Sequence, residues 1–339
     1  MRIRSTLQKL SILVRDAKMV YKGFKTLKQT KRTPDQSYYS MRNLFISTNG
    51  RSNDIISSLI SRKYYQDLDI NGVLGIKDQH QLDQIVNDIA QNGFHVFKQK
   101  LPDHMIDSIY AYAKSTSCRY LTVGDLGSGY SDETITFNEV NPISPRYEFT
   151  QQQILECEEL QTLIFDPAIL SVAQQYLKTK PFLDLIAMWW SAPFHGVGKS
   201  EAAQMYHFDL DRIKFLKFFF YITDVDSNTG PHCYVRKSHK RLPSSLLKDG
   251  RLTDAEVENA FGKDNMLELC GKKGSILAVD TRGLHKGKDL VVGKRLLFQI
   301  EFANCMFGQY YPPFKKPILK PELEKQFEKY KYSYQEIMS

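Results

Sequence analysis

The sequence predicts a mainly β domain, an antiparallel sandwich or barrel, with helices packed before and around it. Two observations predict this. Residues 182–193, 203–209, 213–223, 232–236, 274–280 and 295–303 are short runs, mostly rich in aromatic and β-branched residues. Turn signals separate several of them, among them Asn228-Thr229-Gly230-Pro231 and the stretch 271–274, and many short strands in series favour a closed or two-sheet architecture.

In chain order, the first 45 residues form a basic arm. Ile3, Leu7, Leu10, Val14, Ala17, Tyr21 and Phe24 alternate at spacings of four and three, one stripe of a helix, with Arg4, Lys9, Arg15, Lys18, Lys22 and Lys25 largely between them. Thr33-Pro34-Asp35 ends it. Such a helix can pack on the protein's own body, lie on an anionic membrane surface through residues 1–34, or meet another subunit. Residues 54–67, 81–91 and 103–114 read as helical, with a turn at Asn92-Gly93 and a short strand over 94–98 between the last two. Residues 150–178 read as helix in short pieces, 253–260 as a helical insertion, and 321–338 as a charged helix starting at Pro321. The expected organisation is an arm over 1–45, a domain over 46–320 and a C-terminal helix over 321–339.

Composition narrows the classes. The chain has 339 residues, 42% hydrophobic and 25% charged, which is ordinary for a globular protein. Cys118, Cys157, Cys233, Cys270 and Cys305 are scattered and odd in number, so neither a zinc ribbon nor a disulfide framework is expected. Free thiols suit a reducing cytoplasm. No run reaches the roughly 18–20 apolar residues of a spanning helix, and the N-terminus has no secretory h-region. Residues 1–45 hold eleven of the 46 Lys/Arg and two of the 38 Asp/Glu, a local net charge of +9, so the rest of the chain carries −1. The charge belongs to the arm, which argues against a nucleic-acid partner.

The chemistry lies in the second half. In Tyr206-His207-Phe208-Asp209, strand alternation turns His207 and Asp209 to one face and Phe208 to the other. An imidazole and a carboxylate on one face can share a metal ion, and a third ligand would complete a two-His, one-carboxylate set with open positions. A His-x-acid match alone is a common accident. Its context is less common. Residues 213–223 follow as a continuous apolar run, the pattern of a strand buried on both faces. Later, 274–280 runs into Thr281-Arg282-Gly283-Leu284-His285, and Arg295 opens the last strong strand ten residues on.

This order of motifs resembles the phytanoyl-CoA dioxygenase-like family: His-x-Asp, Thr223-Asp224-Val225-Asp226, Gly230-Pro231, Ser238-His239, a distal His and an Arg. The likeness covers roughly residues 90–305. It implies a double-stranded β-helix, or jelly roll, with His207, Asp209 and His285 as iron(II) ligands and Arg295 as the partner of the distal carboxylate of 2-oxoglutarate. It implies O2 as the oxidant, and hydroxylation of a small-molecule, lipid-linked or sugar substrate with release of succinate and CO2. Halogenases similar to this family lack the carboxylate that Asp209 supplies. Three positions depart from the pattern: Phe208 stands where Gln is frequent, Arg236-Lys237 where Pro-Gly is, and Gly287 where some relatives have Ser.

Other residues deserve a reading. Lys214 and Lys217 interrupt an apolar strand, and snorkelling to the strand edge is the default, with a reach into the barrel the alternative. His232 reads by default as a satisfied polar group at a strand start, with lining of the mouth together with Cys233 the alternative, and His239 reads as turn structure. Arg236, Lys237, Lys240 and Arg241 read as a solvated turn rather than an anion site. One ring of Trp189-Trp190 should face inward, with core packing the default. Two rival functions remain open: a binding module that has lost turnover, and a peripheral membrane or scaffold protein acting through its arm.

Overall fold

The computed structural model describes residues 2–61, 65–122, 129–194 and 204–338, the side chains of residues 2–9 and Met338 excepted. The chain begins with α1 (Arg2–Thr30), α2 (Asp35–Thr48), α3 (Arg51–Ile60) and α4 (Gln79–Asn92), then β1 (Phe94–Val96), α5 (Asp103–Ser115), β2 (Cys118–Thr122), β3 (Gly129–Ile135) and β4 (Arg146–Glu148). Three short helices follow, α6 (Gln151–Glu156), α7 (Glu158–Ile164) and α8 (Pro167–Leu177), and then β5 (Phe182–Ser191), β6 (Phe215–Tyr221) and β7 (His232–Val235). The last part holds α9 (Asp254–Phe261), β8 (Met266–Leu269), β9 (Ile276–Val279), β10 (His285–Gly287), β11 (Arg295–Ala303) and α10 (Pro321–Lys329).

Among the described residues, eight strands form one antiparallel sheet in the order β1-β9-β6-β11-β5-β4-β2-β3, and a smaller sheet runs β10-β7-β8. The two face each other as the expected jelly roll. Alternation along the strands divides the residues between two cores. Leu216, Phe218 and Phe220 of β6, with Leu296, Phe298 and Ile300 of β11, pack against a helical layer that includes Ile109, Leu163 and Ile169. Phe219, Tyr221, Leu277, Val279 and Leu297 point the other way, against Tyr234 and Leu269 of the small sheet. β6 is buried at all seven positions because it lies between β9 and β11 with a layer on each face. The sequence reading missed β2, β3, β4, β8 and β10, whose three to seven residues are too short or too polar for periodicity to register.

The arm packs on the body, but not by the stripe expected. α1 turns Asp16, Val20 and Gly23 inward, with Leu13, Phe24 and Leu27 half-buried beside them. Phe24 stacks on Phe307 at 4.3 Å. Gly23 lies where a Cβ would come 2.5 Å from Ser37 Cβ, so α1 and α2 approach by their backbones. Of the expected stripe, Phe24 joins this contact while Leu10, Val14, Ala17 and Tyr21 are exposed; the side chains of Ile3, Leu7, Arg4 and Lys9 lie outside the described residues. The helix expected over 54–67 begins at Arg51 and ends at Ile60, and residues 62–64 lie outside the described residues. The C-terminal helix is shorter than expected: α10 ends at Lys329, and Tyr334 then drops into the core to meet Phe165 at 4.7 Å, with its hydroxyl donating to Ile164 O at 3.1 Å.

The turn at Gly93 ties the helical layer to the site. Its φ is +93°, and an added Cβ would run into the Tyr234 hydroxyl. Gly93→Ala is therefore expected to lower stability by about 1–3 kcal/mol through strain and overpacking. Urea unfolding measures it, and an unchanged midpoint would show that the turn and Tyr234 yield freely.

Candidate metal centre

His207 and His285 lie opposite each other. Their backbones exchange two hydrogen bonds, His207 N–H to His285 O at 3.0 Å and His285 N–H to His207 O at 2.8 Å, and Asp209 N–H continues the ladder to Thr281 O at 2.8 Å. The segment is not the regular strand expected over 203–209. Tyr206 bridges to Leu252 on one side and His207 to His285 on the other, so no ladder extends far; residue 203 lies outside the described residues. The alternation survives in this short piece. Phe208 points away from the site and packs on Phe45 of α2 at 5.6 Å, while His207 and Asp209 share the other side.

Both imidazoles are held by backbone carbonyls. Nδ1 of His207 lies 2.9 Å from Met205 O and Nδ1 of His285 lies 3.0 Å from Gly283 O, contacts in which Nδ1–H donates and Nε2 is left to face the site. The two Nε2 atoms turn to one carboxylate: His207 Nε2 is 3.7 Å from Asp209 Oδ1, and His285 Nε2 is 3.4 Å from Asp209 Oδ2. One donor atom from each residue lies within 4.8 Å of the others, a set that could hold a metal ion. Burial, and then the His285 ring, lower the His207 pKa to about 3, so this imidazole is neutral at ordinary pH.

Lys217 reaches the same carboxylate from inside the barrel, and so does not snorkel. Its ammonium donates to Asp209 Oδ2 at 2.8 Å and to Asp211 Oδ2 at 3.4 Å, and lies 3.3 Å from Glu301 Oε2. Burial would raise the Asp209 pKa, but Lys217 first and His285 next hold it well below the usual carboxylate range. Burial dominates at Glu301 and Asp211 and pushes both up. The cluster thus keeps the charge on Asp209 in preference to its neighbours. Lys214, three residues earlier, points to the helical side, where its ammonium donates to Tyr176 O at 3.1 Å.

The loop that delivers His285 is pinned at several points. The Tyr176 hydroxyl donates to Asp280 Oδ2 at 2.5 Å, Tyr234 Oη donates to Asp280 O at 2.9 Å, and Leu284 N–H donates to Ser238 Oγ at 2.8 Å. That last bond explains the Ser-His motif as turn structure, as does the contact of His239 Nε2 with Ala90 O at 3.1 Å. Arg236, Lys237, Lys240 and Arg241 are exposed, a solvated turn, with Arg241 paired to Asp54 at 2.9 Å.

The trio opens onto a cavity of about 250 Å³ between the sheets, walled by Leu185, Ala187, Trp189, Phe219 and Leu297 and also lined by Arg295. Arg295 is buried. Its guanidinium donates to Ser191 Oγ at 3.1 Å and to Gly230 O, and its Nε has no partner. Among the described residues no carboxylate pairs with it, and burial lowers its pKa to about 10. Arg146, in contrast, is paired with Glu148 at 3.1 Å and lies over the Trp189 ring at 4.1 Å. His232 also lines the cavity, 5.4 Å from the His285 ring, with its Nε2 unpartnered; burial first, and His285 second, hold its pKa well below the usual histidine value. Cys233 points away, into the cluster around Tyr206 and Leu252. Trp189 takes the inward face and Trp190 the helical core.

No family model matches the sequence, and no curated protein matches it either. Solved structures do match. SnoK, a non-haem alpha-ketoglutarate-dependent carbocyclase from nogalamycin biosynthesis, is 13% identical over 68% of this chain and 86% of its own, with a TM-score of 0.47. SnoN, an epimerase from the same biosynthesis, is 14% identical over 67% of this chain and 83% of its own, with a TM-score of 0.45. HygX from Streptomyces hygroscopicus, solved with nickel and 2-oxoglutarate, is 15% identical over 67% and 89%, with a TM-score of 0.44. At this distance nothing about the reaction passes from these proteins to this chain.

Sequence reasoning missed Gln299 and Glu301. The signal was present: Arg295, Gln299 and Glu301 share one side of β11 with Leu297, opposite Leu296, Phe298 and Ile300, so three polar side chains lie on one face of a buried strand. Glu301 pairs with Lys217 in register across β6. Removing the ammonium should be costly. Lys217→Met leaves the buried Glu301 and the half-buried Asp209 and Asp211 without their counter-charge and is expected to lower stability by about 3–5 kcal/mol, while adding Glu301→Gln should restore part of the loss. Urea unfolding of the single and double variants tests this; equal losses in both would mean that the pair does not interact.

Proposed function

We propose that the protein is an iron(II)- and 2-oxoglutarate-dependent oxygenase that hydroxylates a C–H bond of a small-molecule or lipid-linked substrate. One observation carries the reading: two imidazole Nε2 atoms and an ionised carboxylate converge beside a cavity that also holds a buried guanidinium lacking an acid partner.

The residues fit both groups. His207, Asp209 and His285 offer two nitrogens and one oxygen, the donor set that suits iron(II) while leaving coordination positions open. Both imidazoles already present Nε2, so no rearrangement of the rings is needed. Lys217 occupies Asp209 Oδ2, which favours ligation through the other oxygen alone. Arg295 has one unmatched N–H deep in the cavity, and a planar carboxylate is the partner that satisfies a guanidinium in two-pronged fashion. A 2-oxo acid with a second, distal carboxylate meets both requirements. Bound iron(II) supplies the O2 chemistry that couples decarboxylation of the oxo acid, giving succinate and CO2, to oxidation of the substrate.

What the chain itself contributes is orientation and exclusion of water. The carbonyls of Met205 and Gly283 fix the imidazole tautomers, and Lys217 fixes the carboxylate. Trp189, Phe219 and Leu297 give the cavity an apolar wall. Gly287, where a hydroxyl side chain occurs in some similar proteins, leaves that part of the wall bare. The order of motifs between residues 207 and 295, similar to that of the phytanoyl-CoA dioxygenase-like family, supports the same reading.

The test is succinate formation with iron(II), O2, 2-oxoglutarate and a substrate panel, together with the visible charge-transfer band of the anaerobic complex. The wild type should show both, and Asp209→Ala neither. Arg295→Gln should keep metal binding but raise the 2-oxoglutarate requirement by roughly 10–100-fold, the loss of charge-assisted hydrogen bonds. An unchanged requirement would remove Arg295 from the co-substrate site, and a band that persists in Asp209→Ala would refute the metal assignment.

A further inference from the structure

α1 carries two faces, and its own domain covers one of them. The inner face, through Val20, Gly23 and Phe24, packs on α2 and Phe307. The outer face bears Leu10, Val14, Ala17 and Tyr21, which fall within a sector of roughly 60° at 3.6 residues per turn. Leu10 is 56% exposed, Val14 47% and Tyr21 63%. Isolated exposed apolar residues are ordinary, but these repeat at helical spacing and form a row.

A second row runs beside the first. Lys25, Lys18, Lys22 and Arg15 lie roughly 60–140° around the helix from Leu10, and all four are exposed. Asp16 is the single acid of α1. It is turned inward and buried, where Ser40 Oγ donates to it at 3.3 Å and Arg15 pairs with it at 3.2 Å, so it offsets Arg15 and leaves Lys18, Lys22 and Lys25 with no acid of α1 to balance them. Lys25 also lies 4.8 Å from the Tyr21 ring, an ammonium at the edge of the apolar row.

We propose that this outer face of α1 docks the protein on an anionic membrane surface, with Leu10, Val14 and Tyr21 entering the headgroup boundary and the lysines meeting lipid phosphate and carboxylate. The charge pattern selects this occupant. A second copy of the same face would bring basic rows together in poorly screened contact. A nucleic acid would leave the apolar row without a partner. An anionic bilayer accepts both rows at once, and tyrosine, apolar with one polar end, is suited to the boundary. Among the described residues no helix is long and apolar enough to cross a membrane, so the contact is peripheral. The proposal is independent of the reading of the metal centre.

Co-sedimentation of the full chain with vesicles tests it. Vesicles with phosphatidylserine as roughly a third of the lipid should bind the protein at low salt and release it near 0.5 M salt, and phosphatidylcholine vesicles should not bind it. Lys18→Glu/Lys22→Glu should weaken binding at least roughly fivefold for each charge lost. Leu10→Ser/Val14→Ser/Tyr21→Ser should abolish binding with an unchanged thermal midpoint, since these side chains touch no core. Three results would overturn the proposal: no binding by the wild type, equal binding to both kinds of vesicle, or a dimer in solution that the triple variant disperses.

Discussion

Lys217 stands where the half-buried carboxylates of Asp209 and Asp211 meet the fully buried Glu301, and the interior of the barrel is arranged around it. An ammonium in such a place is stable only because Asp209, Asp211 and Glu301 surround it, and they in turn are tolerable only because it is there. The arrangement is uneven. Asp209 takes the shortest contact and stays ionised, while burial pushes Asp211 and Glu301 towards their protonated forms. A carboxylate kept charged next to an imidazole, that of His207, kept neutral is what a divalent ion requires. Stability and chemistry thus draw on the same interaction, and substitutions at Lys217 will affect both.

The fold supports this point from several directions. β6 carries Lys217 and needs a layer on each face, which the helices and the small sheet provide. The His-x-Asp segment has little ladder of its own, and depends on Phe208 packing against Phe45 of α2. α2 is clasped in turn by α1 through the close approach at Gly23. The basic arm is therefore structurally continuous with the back of the candidate metal centre, a connection through packed side chains rather than through the cavity. The His285 loop is held by Asp280, Ser238 and Tyr234, with Gly93 and Gly283 leaving the space that the Tyr234 ring fills.

Much of the site was legible because its signals are local. His207 and Asp209 sit two apart, and alternation places them together even where the strand is only a bridge. His285 follows one strand and Arg295 opens the next, and composition marks both strands clearly. The destination of Lys217 was not legible, since whether a lysine in an apolar strand snorkels or turns inward depends on which acids wait across the barrel, and Glu301 comes from a strand 84 positions away. The arm shows a different limit. α1 has two apolar rows on adjacent sides, and periodicity identifies rows without saying which one is covered. The shortest of the missed strands, β4 and β10 with three residues each, gain their pairing from the sheet rather than from their own sequence.

The most direct measurement is a crystal structure of the whole chain grown anaerobically with iron(II), or with cobalt(II) in its place, and an anomalous difference map. One peak per chain is predicted, about 2.0–2.2 Å from Nε2 of His207, Nε2 of His285 and one oxygen of Asp209, with the other oxygen still held by Lys217. No peak at this place, or a peak bonded to other residues, would contradict the assignment of the centre.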